Sequence, residues 1–196
     1  MAINLTILTQ LRNLTGAGVA DCRAALTEAD GDLERAIEIL REKGAVKAAK
    51  KISERTAHEG LVESYLHPNG KLGVLIEVRC ETDFVAHNAD FRQLVHDLAM
   101  QVAAANPLYL KPEDVPPAEI KKEQEIYRAQ LKNDGKAEAM WEKIILGKLQ
   151  KYYQAVCLLR QPFIKDDSLT VEQLVTDAIT KLGEKIEVVA FTRYQI

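Results

Sequence analysis

The residues in this chain that could bind a metal or move a proton are mainly its four histidines. They are His58, His67, His87 and His96, and none lies at metal-ligand spacing from a cysteine or an acidic residue. The sequence also contains neither a CxxC nor an HExxH motif. We therefore expect no metal site, no cofactor and no catalytic residues.

Two further features also lack the context that chemistry needs. The sequence Gly16-Ala17-Gly18 could suggest a phosphate-binding loop, but no strand precedes it and no Gly-Lys-Ser/Thr follows it. We interpret it as a tight turn between two helices. The cysteines Cys22, Cys80 and Cys157 are odd in number and widely spaced, which argues against a disulfide framework and fits a reducing cytosol. No nucleophile elbow is present either, so nothing in the residues argues for an enzyme, although these absences alone do not exclude one.

One segment does suggest a functional site, at 80–86, where a strand is predicted to end and a helix to begin. Phe84 lies there in a polar turn, which is a poor position for a core residue and a good one for contact with another protein. Because it precedes Phe91 by seven residues, it could instead extend the buried stripe of that helix. Two cap-like starts, Thr82-Asp83 and Asn88-Ala89-Asp90, favour a break that turns Phe84 away from the stripe.

The composition indicates a globular protein. The chain has 196 residues, of which 47% are apolar and 28% are charged. Its net charge of −3 predicts no general attraction to nucleic acids or acidic membranes. No apolar run is long enough to span a bilayer. Residues 1–5 lack the charged region of a secretory signal, so we predict a cytoplasmic protein.

Helical periodicity divides residues 1–45 into three short helices, which together form an N-terminal domain. The first helix has a leucine at every third position: Leu5, Leu8, Leu11 and Leu14. We place Leu11 and Leu14 of this stripe in the core. Asp32 is predicted to cap the third helix, and Gly44 to lie just past its end.

The next segment, 46–56, is rich in alanine and basic residues, and we interpret it as a helical linker. After residue 57 the period of the apolar residues changes from about 3.6 to 2, which predicts an α+β core domain over 57–196. The predicted strands are 60–66, 71–80 and 186–196, with an Asn69-Gly70 turn between the first two. Gly73 suggests a close approach of another backbone. The fold class is therefore α+β, with a three-stranded antiparallel sheet packed by helices.

Two long segments of the sequence resemble the signatures of translation elongation factor Ts. Residues 11–22 read LRNLTGAGVADC, and residues 77–88 read EVRCETDFVAHN. Further family-like segments follow the same order along the chain, at 41–51, 59–60, 147–149 and 161–166. Arg79 and His87 depart from the pattern, because the family usually has Asn and often Arg at these positions. The chain resembles a short form, since the second core half and the helical hairpin of longer members are not recognisable.

The resemblance implies a guanine-nucleotide exchange factor that binds the GDP form of elongation factor Tu and leaves when GTP binds. In the family, the turn that here contains Thr82, Asp83, Phe84 and Val85 intrudes beside the nucleotide, and the Mg²⁺ that ties the phosphates to the protein is lost. The N-terminal domain is also implied to touch the partner. The residues we expect to make that contact are Arg12, Gly18, Val19 and Asp21.

Other functions stay open from the residues alone. The three-helix domain resembles ubiquitin-associated modules in general shape, so a non-exchange interaction adaptor is the first alternative. The basic residues of the 46–56 segment could bind RNA, although the acidic balance of the chain argues against it. A metabolic enzyme is the weakest alternative. A homodimer is a further expectation, because it could supply the surface that a short chain lacks.

Overall fold

The computed structural model describes residues 5–196, and these residues form an α+β fold, as predicted. The helices are α1 (Leu5–Thr15), α2 (Val19–Glu28), α3 (Leu33–Glu54), α4 (Asp83–Ala86), α5 (Ala89–Ala105), α6 (Pro117–Asn133), α7 (Trp141–Val156) and α8 (Val171–Leu182). The strands are β1 (Glu59–Leu66), β2 (Leu72–Cys80), β3 (Pro162–Phe163), β4 (Asp166–Thr170) and β5 (Glu187–Gln195).

Helices α1, α2 and the first half of α3 pack around a small apolar core. Its buried members are Leu11, Ala17, Cys22, Ala25, Leu26, Ala29, Ala36, Ile39 and Leu40. The predicted cap of α3 is confirmed, because the backbone N–H of Arg35 donates to the Asp32 carboxylate at 2.8 Å. The three-helix arrangement follows from the apolar spacing of each segment.

The leucine stripe of α1 is only partly buried. Residues in a helix are 100° apart, so Leu5 and Leu14, which are nine residues apart, point to opposite sides. Leu11 is fully buried, whereas Leu5 is 77% exposed and Leu14 is 62% exposed. The prediction that Leu14 belongs to the core is therefore wrong, because a spacing of three does not stay on one helix face.

Helix α3 does not end at Gly44 but continues to Glu54, so that prediction is also wrong. Gly44 is buried, and a Cβ atom added there would lie 3.0 Å from the hydroxyl oxygen of Thr180 on α8. The glycine thus permits close packing of two helices and is not a helix terminator. Most of the predicted linker is the last part of α3. The division into domains at 1–45, 46–56 and 57–196 stays a prediction.

The main sheet is antiparallel and has the strand order β1-β2-β5. Its first hairpin turns at Asn69-Gly70, as predicted. The N–H of His67 donates to the carbonyl of Leu72 at 2.9 Å, and the N–H of Lys71 donates to the Asn69 side chain at 2.9 Å. Alternate residues of β2 are buried, namely Val74, Ile76, Val78 and Cys80. The predicted period of two and the buried face are confirmed.

A close backbone approach occurs at Gly60 and not at the predicted Gly73. At Gly73 an added Cβ would meet only a Leu66 methyl group, at an ordinary 3.7 Å. At Gly60, where φ is +148°, the same atom would lie 2.2 Å from the carbonyl oxygen of Val78. Only glycine fits this contact between β1 and β2.

The periodicity of the sequence predicts helices at the positions of α6 and α7, and both are present, but it does not predict that they pair. The two helices pack together as a helical hairpin around Leu131, Ile145 and Leu149. Strands β3 and β4 form a separate two-stranded antiparallel sheet. Among residues 5–196, no helix combines the length and the apolar character needed to cross a membrane.

The chain forms two compact units. The first contains the described residues up to Val62, together with Glu77–Val95 and Gln173–Val189. The second contains Glu63–Ile76, His96–Glu172 and Ala190–Ile196. All the residues predicted to contact a partner belong to the first unit. The residues that hydrogen-bond to the Phe84 turn, namely Arg55, Glu184 and Lys185, belong to it as well.

Candidate functional site

The single helical turn α4 presents Phe84 to solvent. The side chain of Phe84 is 81% exposed, whereas the following Val85 and Ala86 are only 5% and 3% exposed. Thr82 caps the turn, because its hydroxyl oxygen accepts a hydrogen bond from the N–H of Val85 at 3.4 Å. The predicted exposure of Phe84 is confirmed. Val85 packs inside its own unit, so its side chain is a poor candidate for the partner contact that the resemblance implies.

A second helix start separates Phe84 from the buried stripe of α5. The N–H of Asp90 donates to the Asn88 side chain at 2.8 Å, and the N–H of Arg92 donates to the Asn88 carbonyl at 3.0 Å. Helix α5 therefore begins afresh after the one-turn α4, and its Phe91 is fully buried. The break predicted from the two cap-like starts is confirmed.

The base of the turn is held by the carboxylate of Glu184, which lies in the segment between α8 and β5. One of its oxygens accepts the backbone N–H groups of Glu81 and Thr82, each at 3.1 Å. The other accepts the hydroxyl of Thr82 at 2.7 Å. A carboxylate that accepts three hydrogen bonds is a strong anchor, because such charge-assisted bonds are stronger than neutral ones.

A second carboxylate, that of Glu81, makes the reciprocal contact from the 81–82 segment to the 184–185 segment. It accepts the backbone N–H of Lys185 at 2.5 Å and the guanidinium of Arg55 at 3.1 Å. Burial by itself would raise the pKa of Glu81, but these two donors favour the ionised form and lower the pKa below its ordinary value. We call this set of contacts among Arg55, Glu81, Thr82, Glu184 and Lys185 the carboxylate clasp.

The three thiols are packing groups and not reactive ones. All three cysteines are buried and free. Burial raises the pKa of Cys80 to about 11 and that of Cys157 to about 11, and it also raises the pKa of Cys22. Such thiols carry little thiolate near neutral pH and make weak nucleophiles. In the described part of the chain, no group of three or more potential metal ligands comes together.

The four N-terminal candidates lie at the junction of α1 and α2. Arg12, Gly18, Val19 and Asp21 are all exposed, with Val19 at 50%. Asp21 is not fully available, because its carboxylate pairs with the Lys47 ammonium at 2.7 Å. Leu14, which the sequence pattern placed in the core, is exposed beside them, and its exposure makes it a further contact candidate.

Sequence reasoning missed the residues that support the Phe84 turn from a distance. Arg55 is 26 residues from Glu81, and Glu184 is 102 residues from Thr82. No local period or motif relates such positions. The available signal was Gly183, which turns the chain out of α8 with φ of +81° just before Glu184.

Comparison with known proteins relates almost the whole chain to one family. A sequence model of the family described as "Elongation factor TS" matches residues 9–196. Proteins named elongation factor Ts from Moorella thermoacetica and Desulforamulus reducens are 59% and 53% identical over 186 and 194 residues. These matches cover 95% and 99% of this chain, and 91% and 89% of the relatives. The protein of the same name from Thermotoga petrophila is 52% identical over 196 residues, covering 100% of this chain and 97% of the relative.

The fold and the family match define this chain as a translation elongation factor. More specifically, the chain belongs to the elongation factor Ts family. The coverage of the relatives also shows that these family members are close to it in length.

Proposed function

We propose that this chain is a guanine-nucleotide exchange factor for elongation factor Tu. It binds the GDP form of that protein, disturbs the Mg²⁺ and phosphate site, promotes GDP release and is displaced when GTP binds. The observation that carries the proposal is the 81% exposure of Phe84 on a turn whose base is fixed by hydrogen bonds. Membership of the elongation factor Ts family supports the choice of partner.

The physical basis is the role of magnesium in nucleotide binding. A bound Mg²⁺ is a large local charge, and the affinity for the nucleotide phosphates depends on it. A ring inserted beside this site favours a partner conformation in which these contacts are broken. Such an activity needs no catalytic residue, cofactor or covalent step, and in this sense the protein is not an enzyme. Linkage requires that factor and nucleotide weaken each other's binding by the same ratio, so GTP displaces the factor.

The energy available from one ring limits what Phe84 can do alone. Full burial of a phenylalanine side chain is worth roughly 1.5–3 kcal/mol. That is about one to two decades in rate or affinity. The remaining binding energy is assigned to the N-terminal residues, principally Arg12, Gly18 and Val19, and to exposed Thr82 and Asp83 around the ring.

The proposal is tested by stopped-flow release of a fluorescent GDP analogue from elongation factor Tu. We expect wild type to accelerate release and Phe84→Ala to lose about tenfold or more of this acceleration. The matched control is Val46→Ala, which removes another apolar side chain that is 72% exposed in the same compact unit. The proposal fails if wild type leaves GDP release unchanged.

We also propose a homodimer and a cytoplasmic location. In the second compact unit, four large apolar side chains on or beside the sheet strands are strongly exposed: Leu66, Leu75, Tyr194 and Ile196. A second copy of the chain could cover such residues. Light scattering that shows a monomer both free and with elongation factor Tu would exclude the dimer. We propose no direct contact with nucleic acid or membrane.

A further inference from the structure

We propose that Glu184 is a positioning residue for exchange, which acts through Phe84 by fixing the turn that carries the ring. This inference rests on the proposed function and adds to it a residue outside the Phe84 turn. The start of the turn is fixed by hydrogen bonds, whereas the ring of Phe84 is exposed. Glu81 and Thr82 donate three hydrogen bonds to the Glu184 carboxylate, and the Glu81 carboxylate accepts a fourth from the N–H of Lys185.

The first step is the way Glu184 orients the helix cap. The Thr82 hydroxyl donates a hydrogen bond to the Glu184 carboxylate at 2.7 Å. Its oxygen lone pairs are then free to accept a hydrogen bond from the N–H of Val85 at 3.4 Å. The carboxylate therefore sets the orientation of the hydroxyl that caps α4. Without Glu184 the hydroxyl can rotate, and a helix of one turn has little else to define its start.

The second step is that the contact is reciprocal. Glu184 binds the backbone of Glu81 and Thr82, and the Glu81 carboxylate binds the backbone N–H of Lys185. Arg55, which follows α3, pairs with Glu81 at 3.1 Å, and the Lys185 ammonium donates to the Arg55 carbonyl at 3.1 Å. Two segments tied by bonds in both directions cannot slide past each other without breaking several of them.

The third step concerns the support behind Glu184. Helix α8 packs closely against α3 at Gly44, where an added Cβ would meet Thr180, and the Lys51 ammonium reaches the Ile179 carbonyl at 3.4 Å. Gly183 then ends α8 and directs the chain to Glu184. The carboxylate clasp thus fixes the Phe84 turn to α8, and α8 is itself packed on the helix that belongs to the N-terminal core.

These contacts suit positioning because the ring must enter a defined place. A side chain 81% exposed gains no orientation from its own packing. If the turn could adopt several orientations, only a fraction of molecules would present the ring correctly, and the effective activity would fall to that fraction of its full value. Glu184 contributes by raising this fraction, not by touching the partner.

The test is a double-mutant cycle on GDP release with the full-length chain and elongation factor Tu. Glu184→Ala is expected to lower the maximal release rate at saturating factor about three- to tenfold. In the Phe84→Ala background the same change is expected to cost less than about twofold, because no ring remains to be positioned. Glu184→Gln keeps one acceptor oxygen and should recover part of the rate. Glu38→Ala, whose carboxylate pairs with Arg35, is the control.

The unfolding midpoint of each variant is measured in parallel, because replacing a residue with a merely structural role would lower it. A structural residue would reduce the unfolding midpoint and the release rate equally in the wild-type and Phe84→Ala backgrounds, and this result overturns the proposal. Unchanged release by Glu184→Ala, with Phe84→Ala still defective, also overturns it and leaves the exchange function standing.

If wild type does not accelerate release, the exchange function fails. Amide hydrogen exchange at Glu81 and Thr82 then decides the rest: unchanged protection in Glu184→Ala overturns the positioning role, and faster exchange supports the anchoring step.

Discussion

Phe84 and Phe91 are seven residues apart in sequence, yet the first is 81% exposed and the second is fully buried. In one continuous helix, seven residues are nearly two full turns, so the two rings would share a face. The separate caps at Thr82 and Asn88 divide the segment into two helices and remove this relation. The ring of Phe84 is therefore available for contact with another protein.

The first prediction follows from this difference in burial. Phe84→Ala should change the free energy of unfolding by less than about 0.5 kcal/mol, since surface substitutions have small effects. Phe91→Ala should lower it by about 3–5 kcal/mol, because it leaves a cavity in the core. Urea unfolding followed by circular dichroism measures both. A loss of more than about 2 kcal/mol in Phe84→Ala would mean that the ring packs within its own chain.

The sequence predicted the parts of this site that depend on local pattern. The helix caps, the Asn69-Gly70 hairpin and the period of two in β2 are encoded by neighbouring residues, and the structure confirms them. The position of Leu14 was mistaken because a spacing of three was treated as a helical stripe. The prediction that Gly44 ends a helix was wrong because helix-ending and close-packing glycines look alike in sequence. Only the location of Thr180 shows that this glycine permits close packing.

The contacts that hold the turn could not be predicted from the sequence. Glu184 is 102 residues from Thr82, and its partners are mainly backbone N–H groups, which every residue except proline possesses. Such an interaction leaves no complementary side chain to recognise. The exposure of the ring was predictable from its caps, but the anchoring of its turn required the fold.

The second prediction concerns the two glycines inside helices. Gly44→Val should lower the free energy of unfolding by about 1–3 kcal/mol, because its side chain must displace Thr180. Gly147→Val in α7 is the matched control: nothing lies within 4 Å of its added Cβ, so the change should stay within about 0.5 kcal/mol. Thermal and urea unfolding of both variants provide the comparison. Equal stability of the two would contradict the close packing of α3 on α8.

The third prediction is a pH dependence that comes from Glu81. Its pKa is lower in the folded chain than that of an ordinary glutamate, because the effect of burial is outweighed by the hydrogen bonds from Lys185 and Arg55. The resulting stabilisation is therefore fully present above the ordinary glutamate range and is lost as the pH falls through the lowered folded pKa. Glu81→Gln should be less stable than wild type near neutral pH, and the difference should shrink on acidification.

This difference is measured by urea unfolding at a series of pH values below neutrality. Glu38→Gln is the control, because its carboxylate is 62% exposed and pairs with Arg35 in the same helix. A gap between wild type and Glu81→Gln that stays constant down to acid pH would show that the Glu81 carboxylate is not stabilised by folding.

The fourth prediction concerns the cysteines. Cys80 and Cys157 have pKa values raised to about 11, and Cys22 is raised as well, because all three are buried. A thiol-specific colorimetric reagent at mildly alkaline pH should react with none of them in the native protein and with all three after unfolding. The rate of labelling should follow the rate of opening. Rapid labelling of Cys80 under native conditions would contradict its complete burial.

The most direct test of the central claim compares GDP release at millimolar Mg²⁺ with release in excess chelator. If the Phe84 ring acts by disturbing the magnesium and phosphate site, wild type should exceed Phe84→Ala by about tenfold or more with Mg²⁺ present. The two should become nearly equal when the chelator has removed the ion, because the ring then has no metal contact left to disturb. A defect of Phe84→Ala that is the same size with and without Mg²⁺ would contradict the account.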